Sequence, residues 1–85
     1  MGMWTVYNLD VWGNAEDGWD VNDWWAVAKF DDNDKNDIIT FLYCKELITT
    51  DNPEKFVVDA CGENHIDIYQ VEDMMPLFSL EREVK

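Results

Sequence analysis

Eighty-five residues read as one domain, 1–85, with room for a single small core. Nineteen Asp and Glu against six Lys and Arg give a net charge of −13, which excludes unaided binding to DNA, RNA or an anionic lipid surface. A hydrophobic fraction of 47% and an aromatic fraction of 14% exclude a chain that stays disordered for want of apolar surface.

Met3 to Trp12 alternates. Thr5, Tyr7, Leu9 and Val11 share one side; Trp4, Val6, Asn8, Asp10 and Trp12 share the other. Large apolar groups on both sides predict a strand that is central in a sheet or covered on both faces. The segment GNAEDG, Gly13 to Gly18, reads as a six-residue turn in which two glycines supply positive φ. Trp19 to Phe30 is the return strand. Strict alternation breaks within it, and a β-bulge near Asn22-Asp23 restores it. Trp19, Val21, Trp24, Ala26, Ala28 and Phe30 then share one side, leaving Asp20, Asp23, Trp25, Val27 and Lys29 outward. Leu9 to Phe30 is thus a long hairpin with an acidic tip, and it holds four of the five tryptophans.

Asp31 to Asp37 is a polar connection leading into a helix from about Lys35 to Leu47. Asp34 is the expected N-cap, with Asp37 in the capping-box position. Ile38, Phe41 and Leu42 mark the buried face, and Pro53 ends regular structure. Lys55–Cys61, Ile66–Glu72 and Leu77–Val84 read as strands separated by turns at Gly62–Asn64 and Asp73–Pro76. In the last strand Phe78, Leu80 and Val84 oppose Ser79, Glu81 and Glu83. The order is ββαβββ. Short connections predict an α+β fold, an antiparallel sheet of about five strands with one helix on a face.

No residue pattern announces catalysis. His65 pairs in principle with Cys44 or Cys61, yet no local motif supports a nucleophile and base, and a solvent-facing turn histidine is the simpler reading. Asp32, Asp34 and Asn36 imitate the start of a calcium loop. The glycine that loop requires is replaced by Asp37, and its bidentate acid by Tyr43. No metal, no cofactor and no catalytic residue is therefore assigned, and the chain is expected not to be an enzyme. The two cysteines are far apart and suggest a reduced, cytoplasmic protein. No apolar run approaches membrane-spanning length.

What remains is recognition. Alternate residues of a strand lie roughly 6.5 to 7 Å apart, similar to successive phosphates along a nucleic-acid strand. Carboxylates on neighbouring strands, such as Asp10, Asp20, Asp59, Asp67 and Glu72, can form a phosphate-like array. The residues assigned to partner binding are Asp10, Glu16, Asp17, Asp20, Asp23, Trp25, Asp31, Asp32, Asp34 and Asp37. Most tryptophans are expected in the core, with Trp25 and Trp4 as candidates for exposed interface anchors.

Two segments carry a resemblance. DVWGNAEDGWDVND (Asp10 to Asp23) and MPLFSLE (Met75 to Glu81) resemble small acidic open reading frames of bacteriophages, gut phages above all. That group has no assigned activity, so no residue role carries over. In size and acidity the chain is similar to phage-encoded DNA mimics such as glycosylase, restriction and CRISPR inhibitors. The resemblance implies a non-enzymatic inhibitor in the host cytoplasm that blocks the basic DNA- or RNA-binding site of a host protein. The alternative is a small assembly module that forms a homodimer, or joins a protein partner, through exposed aromatics.

Overall fold

The computed structural model describes residues 2–31 and 37–83. Five strands form one antiparallel sheet: β1 (Met3–Asn14), β2 (Gly18–Asp31), β3 (Phe56–Gly62), β4 (His65–Gln70) and β5 (Pro76–Arg82). Their spatial order is β2-β1-β5-β4-β3. The helix α1 (Ile38–Cys44) follows β2, and a 3₁₀ turn (Pro53–Lys55) precedes β3. The architecture is the expected antiparallel sheet with one helix. It departs from a plain ββαβββ order by that 3₁₀ turn, which Pro53 opens and the Asn52 side chain caps.

Register decides which residues meet. Trp4 pairs with Phe30, Val6 with Ala28 and with Leu80, Leu80 with Ile66, and Phe78 with Ile68. Successive side chains alternate between faces, so these apolar residues line one face of the sheet. Ile38, Ile39 and Leu42 of α1 close over it. Leu42, Val6, Ile68 and Leu80 are fully buried, each contributing about 1.5–3 kcal/mol of apolar burial at most. The Trp4 and Phe30 rings stack at 6.1 Å, and Phe41 tilts against Phe30 at 5.2 Å.

The helix is shorter than the periodicity predicts. Its seven residues would not hold a helix alone, so burial of Ile38, Ile39 and Leu42 sustains it. Asp37 sits in the N-cap position and makes no side-chain capping bond, so it is not the capping-box acid expected. Asp34, the expected cap, lies outside the described residues. At the other end Glu46 adopts φ 61°, Leu47 N–H donates to Leu42 O at 3.0 Å, and Glu46 N–H to Tyr43 O. This pair of bonds ends the helix in the manner of a Schellman motif, with Glu46 where glycine is usual. Leu47 therefore does not extend the helix.

Two bulges shape β2. One falls at Asn22, between the Asp10–Asp23 and Val11–Val21 pairs, as expected. The other falls at Val27, between Val6–Ala28 and Tyr7–Ala26, and was not foreseen. It moves Ala28 and Phe30 to the helix-covered face and leaves Val21, Trp24 and Ala26 on the open face. The expected single apolar face of β2 is therefore split in two. β2 is an edge strand, and both bulges lie in it, where they twist an otherwise unpaired edge. No helix among the described residues is long and apolar enough to cross a membrane.

Candidate functional site

The β1–β2 hairpin outgrows the sheet. β5 pairs with β1 only from Trp4 to Asn8, so Leu9–Asn14 of β1 have β2 as their sole strand neighbour. The result is a two-stranded arm. Its tip is tighter than the sequence suggests, because Asn14 still pairs with Gly18 and the loop holds just three residues. The Asn14 side-chain oxygen accepts from Glu16 N–H at 2.9 Å and Asp17 N–H at 2.7 Å, closing the turn locally. Gly13 (φ 121°) passes so close to its partner strand that a Cβ there would fall 2.3 Å from the Gly18 carbonyl oxygen. Trp19 anchors the arm to the body by donating its indole N–H to the Asp73 carbonyl at 3.0 Å.

Charge and aromatic surface concentrate here. Residues 9–28 hold Asp10, Glu16, Asp17, Asp20 and Asp23 and contain no Lys or Arg. Asp10 stands directly opposite Asp23, and Asp20 opposite Trp12, so these three carboxylates share the arm's helix-side face. Asn22 donates to Asp10 at 3.1 Å, which holds one carboxylate in place. Trp12 is 64% exposed, Trp24 61% and Trp25 48%. On the opposite face Tyr7, Leu9, Val21 and Trp24 form one wall of a shallow groove, and Asp67 and Glu81 stand on the other. An aromatic wall facing carboxylates suits a Lys or Arg side chain, through ion pairing and cation–π contact together.

The predicted residues divide by place. Asp10, Glu16, Asp17, Asp20 and Asp23 lie on the arm, and Trp25, opposite Asn8, at its base. Asp31 ends β2, which at about 3.3 Å per residue is long enough to run the length of a molecule 40 Å in its longest dimension, and Asp37, at the start of α1, lines a groove with Asp51, Pro53 and Val58 by the opposite edge strand β3. Asp32 and Asp34 lie outside the described residues. Register also breaks the expected array. Asp59 and Asp67 pair on the open face of β3–β4, whereas Asp10 and Asp20 are on the covered side at the far edge of the sheet. The acids thus form separate groups, not a single ridge. Trp4, a candidate anchor, is 1% exposed and belongs to the core, while Trp12 and Trp24, expected inside, are exposed. Trp12 is on the helix-side face beyond the reach of α1, whereas the Val27 bulge turns Trp24 to the open face, which α1 does not cover.

A second constellation lies on β3–β4. A tight turn at Glu63-Asn64 brings the end of one strand against the start of the next. The Cys61 thiol donates to Asp67 Oδ2 at 3.2 Å, and His65 Nε2 lies 2.8 Å from Asp67 Oδ1. His65 Nδ1 lies 3.8 Å from a Glu81 carboxylate oxygen. His65 is thus not a solvent-facing turn residue; it begins β4 and is half-buried. The Asp67 hydrogen bond, then desolvation and the Asp67 and Asp59 charges, push the Cys61 thiol up to about 11. Desolvation, followed by the Asp67 charge, also raises the Tyr69 phenol. This grouping escaped the sequence reading because His65 was assigned to the turn. Drawing the β3–β4 register and following its open face would have aligned Asp59, Cys61, His65 and Asp67.

No protein-family model, no curated protein and no solved structure matches the chain. Function is therefore argued from the surface itself.

Proposed function

We propose that this protein is a non-enzymatic binding module whose arm docks into a basic, nucleic-acid-binding site on a protein partner. It acts there as an inhibitor of the phage type that the sequence resemblance implies. One observation carries the reading: five carboxylates and three exposed tryptophans share a cation-free arm that projects past the paired body of the sheet. A cationic cleft evolved to hold phosphates offers Arg and Lys side chains. The arm answers them with carboxylates for pairing and indole faces for stacking. The mimicry is local to the arm. The net charge of −13 adds long-range steering toward such a partner.

The test is capture of proteins from bacterial lysate across a salt series, with duplex DNA as competitor. The reading expects nucleic-acid-binding proteins to be captured at low salt and released by salt or by DNA. A captured set of neutral or acidic proteins, indifferent to both, contradicts it.

A second reading, self-association through aromatics, is favoured by the exposure of Val21, Trp24 and Trp25 along the edge strand β2. The bulges at Asn22 and Val27 and the charges Asp20, Asp23 and Lys29 oppose edge-to-edge pairing. Sedimentation separates the two, since an apolar dimer persists or strengthens as salt rises.

A further inference from the structure

The constellation at Cys61 has a donor set that the arm lacks. One ligand atom each from Cys61, His65 and Asp67 lies within 4.8 Å of the other two. Sulfur, imidazole nitrogen and carboxylate oxygen together are the donors a zinc-type cation takes. In a tetrahedral site with bonds of about 2.0–2.3 Å, ligand atoms stand roughly 3.3–3.7 Å apart. Cys61 Sγ and His65 Nε2 stand 3.2 and 2.8 Å from the two different oxygens of Asp67, so the carboxylate lies between sulfur and imidazole. A cation in their place needs these separations to open slightly, which side-chain rotation can supply because Cys61 is exposed at the end of β3.

Two further carboxylates stand beside the cluster. Asp59 and Asp67 occupy directly opposed positions on β3 and β4, as Asp10 and Asp23 do on the arm, so the opposition alone marks no cation, and what differs here is the sulfur and imidazole beside it. Asp59 Oδ2 is 3.7 Å from the same sulfur. In addition, the far nitrogen of His65, Nδ1, faces Glu81 at 3.8 Å. At that distance the two are not hydrogen-bonded, and a small rotation of the exposed Glu81 side chain would bring its carboxylate behind the imidazole, the usual support of a metal-bound histidine. Nucleophilic use of Cys61 fits less well. Asp67 stands between Cys61 and His65, with the thiol donating to one of its oxygens and His65 Nε2 close to the other, so the imidazole is not placed as a base for the thiol.

We propose that Cys61, His65 and Asp67 bind one zinc-type divalent cation, with Asp59 beside the sulfur and Glu81 beside the far nitrogen of His65. The site staples β3 to β4. Asp67 and Glu81 also line the groove walled by Tyr7, Leu9, Val21 and Trp24, whereas Cys61, on the edge strand β3, lies outside that groove, so its loss tests the metal site apart from the arm.

The experiment uses the full chain, stripped with chelator and kept reduced, titrated with Zn²⁺ by calorimetry and with Co²⁺ by optical absorption. One equivalent is expected to bind, with a thiolate-to-cobalt charge-transfer band, tetrahedral visible bands and a raised melting temperature. C61S removes the charge-transfer band. H65Q and D67N weaken zinc binding on the order of tenfold or more, and E81Q by about tenfold. C44S and the arm variant D10N/D20N/D23N leave it unchanged. Calcium alone is not expected to compete at similar concentration, because a thiolate and imidazole suit it poorly. No binding, cobalt binding without the thiolate band, or zinc binding undiminished in a folded C61S protein each overturns the assignment. The last two would place the cation on scattered carboxylates.

Discussion

Between Trp4 and Asn8, β1 has a strand on each side and its apolar side chains buried against α1 or the neighbouring strands. Between Leu9 and Asn14 the same strand has one neighbour, no cover, and acids and tryptophans where valine and leucine would otherwise be buried. The sequence pattern is alternating in both stretches, and only the surroundings differ. The base gains stability from burial. The arm, a ribbon that would be marginal alone, is held by its turn, its register and the Trp19–Asp73 bond. On the proposed reading stability and recognition fall in different regions, so a substitution can disturb one and spare the other.

That separation can be broken from either side. Leu42→Ala removes a fully buried side chain from the base and is expected to cost about 2–5 kcal/mol in chemical denaturation. Gly13→Ala strains the arm, where positive φ and the Gly18 carbonyl both refuse a Cβ. Its cost is about 1–3 kcal/mol, with faster amide exchange confined to residues 9–24 and not to the core. Glu46→Gly relieves a left-handed non-glycine residue and is expected to stabilise the base by about 1 kcal/mol while leaving arm exchange unchanged.

A smaller effect concerns neither region but the face between them. In chelator-treated protein the Cys61 thiol, pushed up to about 11, should be alkylated tens of times more slowly at pH 8 than a free cysteine, and Asp67→Asn should speed the reaction. The fold favours the neutral thiol. This contribution is therefore present below pH 9 and fades as pH rises toward 11. Equal rates in both proteins would show that Asp67 does not hold the thiol.

Much of the base was legible in the residues. Strands β3 to β5 follow from period-2 patterning and turn chemistry, with shifts of one or two residues at the ends, and the existence of the helix and the Asn22 bulge was legible as well. The Val27 bulge left no trace, because Ala26, Val27 and Ala28 are all apolar and either parity satisfies the pattern. The helix was overestimated for a related reason: propensity continues past Cys44, but the Glu46 backbone turns left-handed and stops it. The fate of Trp12 and Trp25 depended on how far α1 reaches, a tertiary quantity that no local window contains, and that of Trp24 on the Val27 bulge. The clustering of the arm's acids was legible in the sequence. Their separation from Asp59 and Asp67 was not, since face membership follows from strand order across the whole sheet.

The central claim is that the arm binds without being needed for the fold. The most direct measurement compares the triple variant D10N/D20N/D23N with the parent chain, in partner capture and in thermal melting side by side. Removing these exposed charges should alter stability by no more than about 0.5 kcal/mol, so the account predicts nearly equal melting temperatures and loss of salt-sensitive capture. A variant that melts like the parent and still retains its partners at the same salt would contradict it.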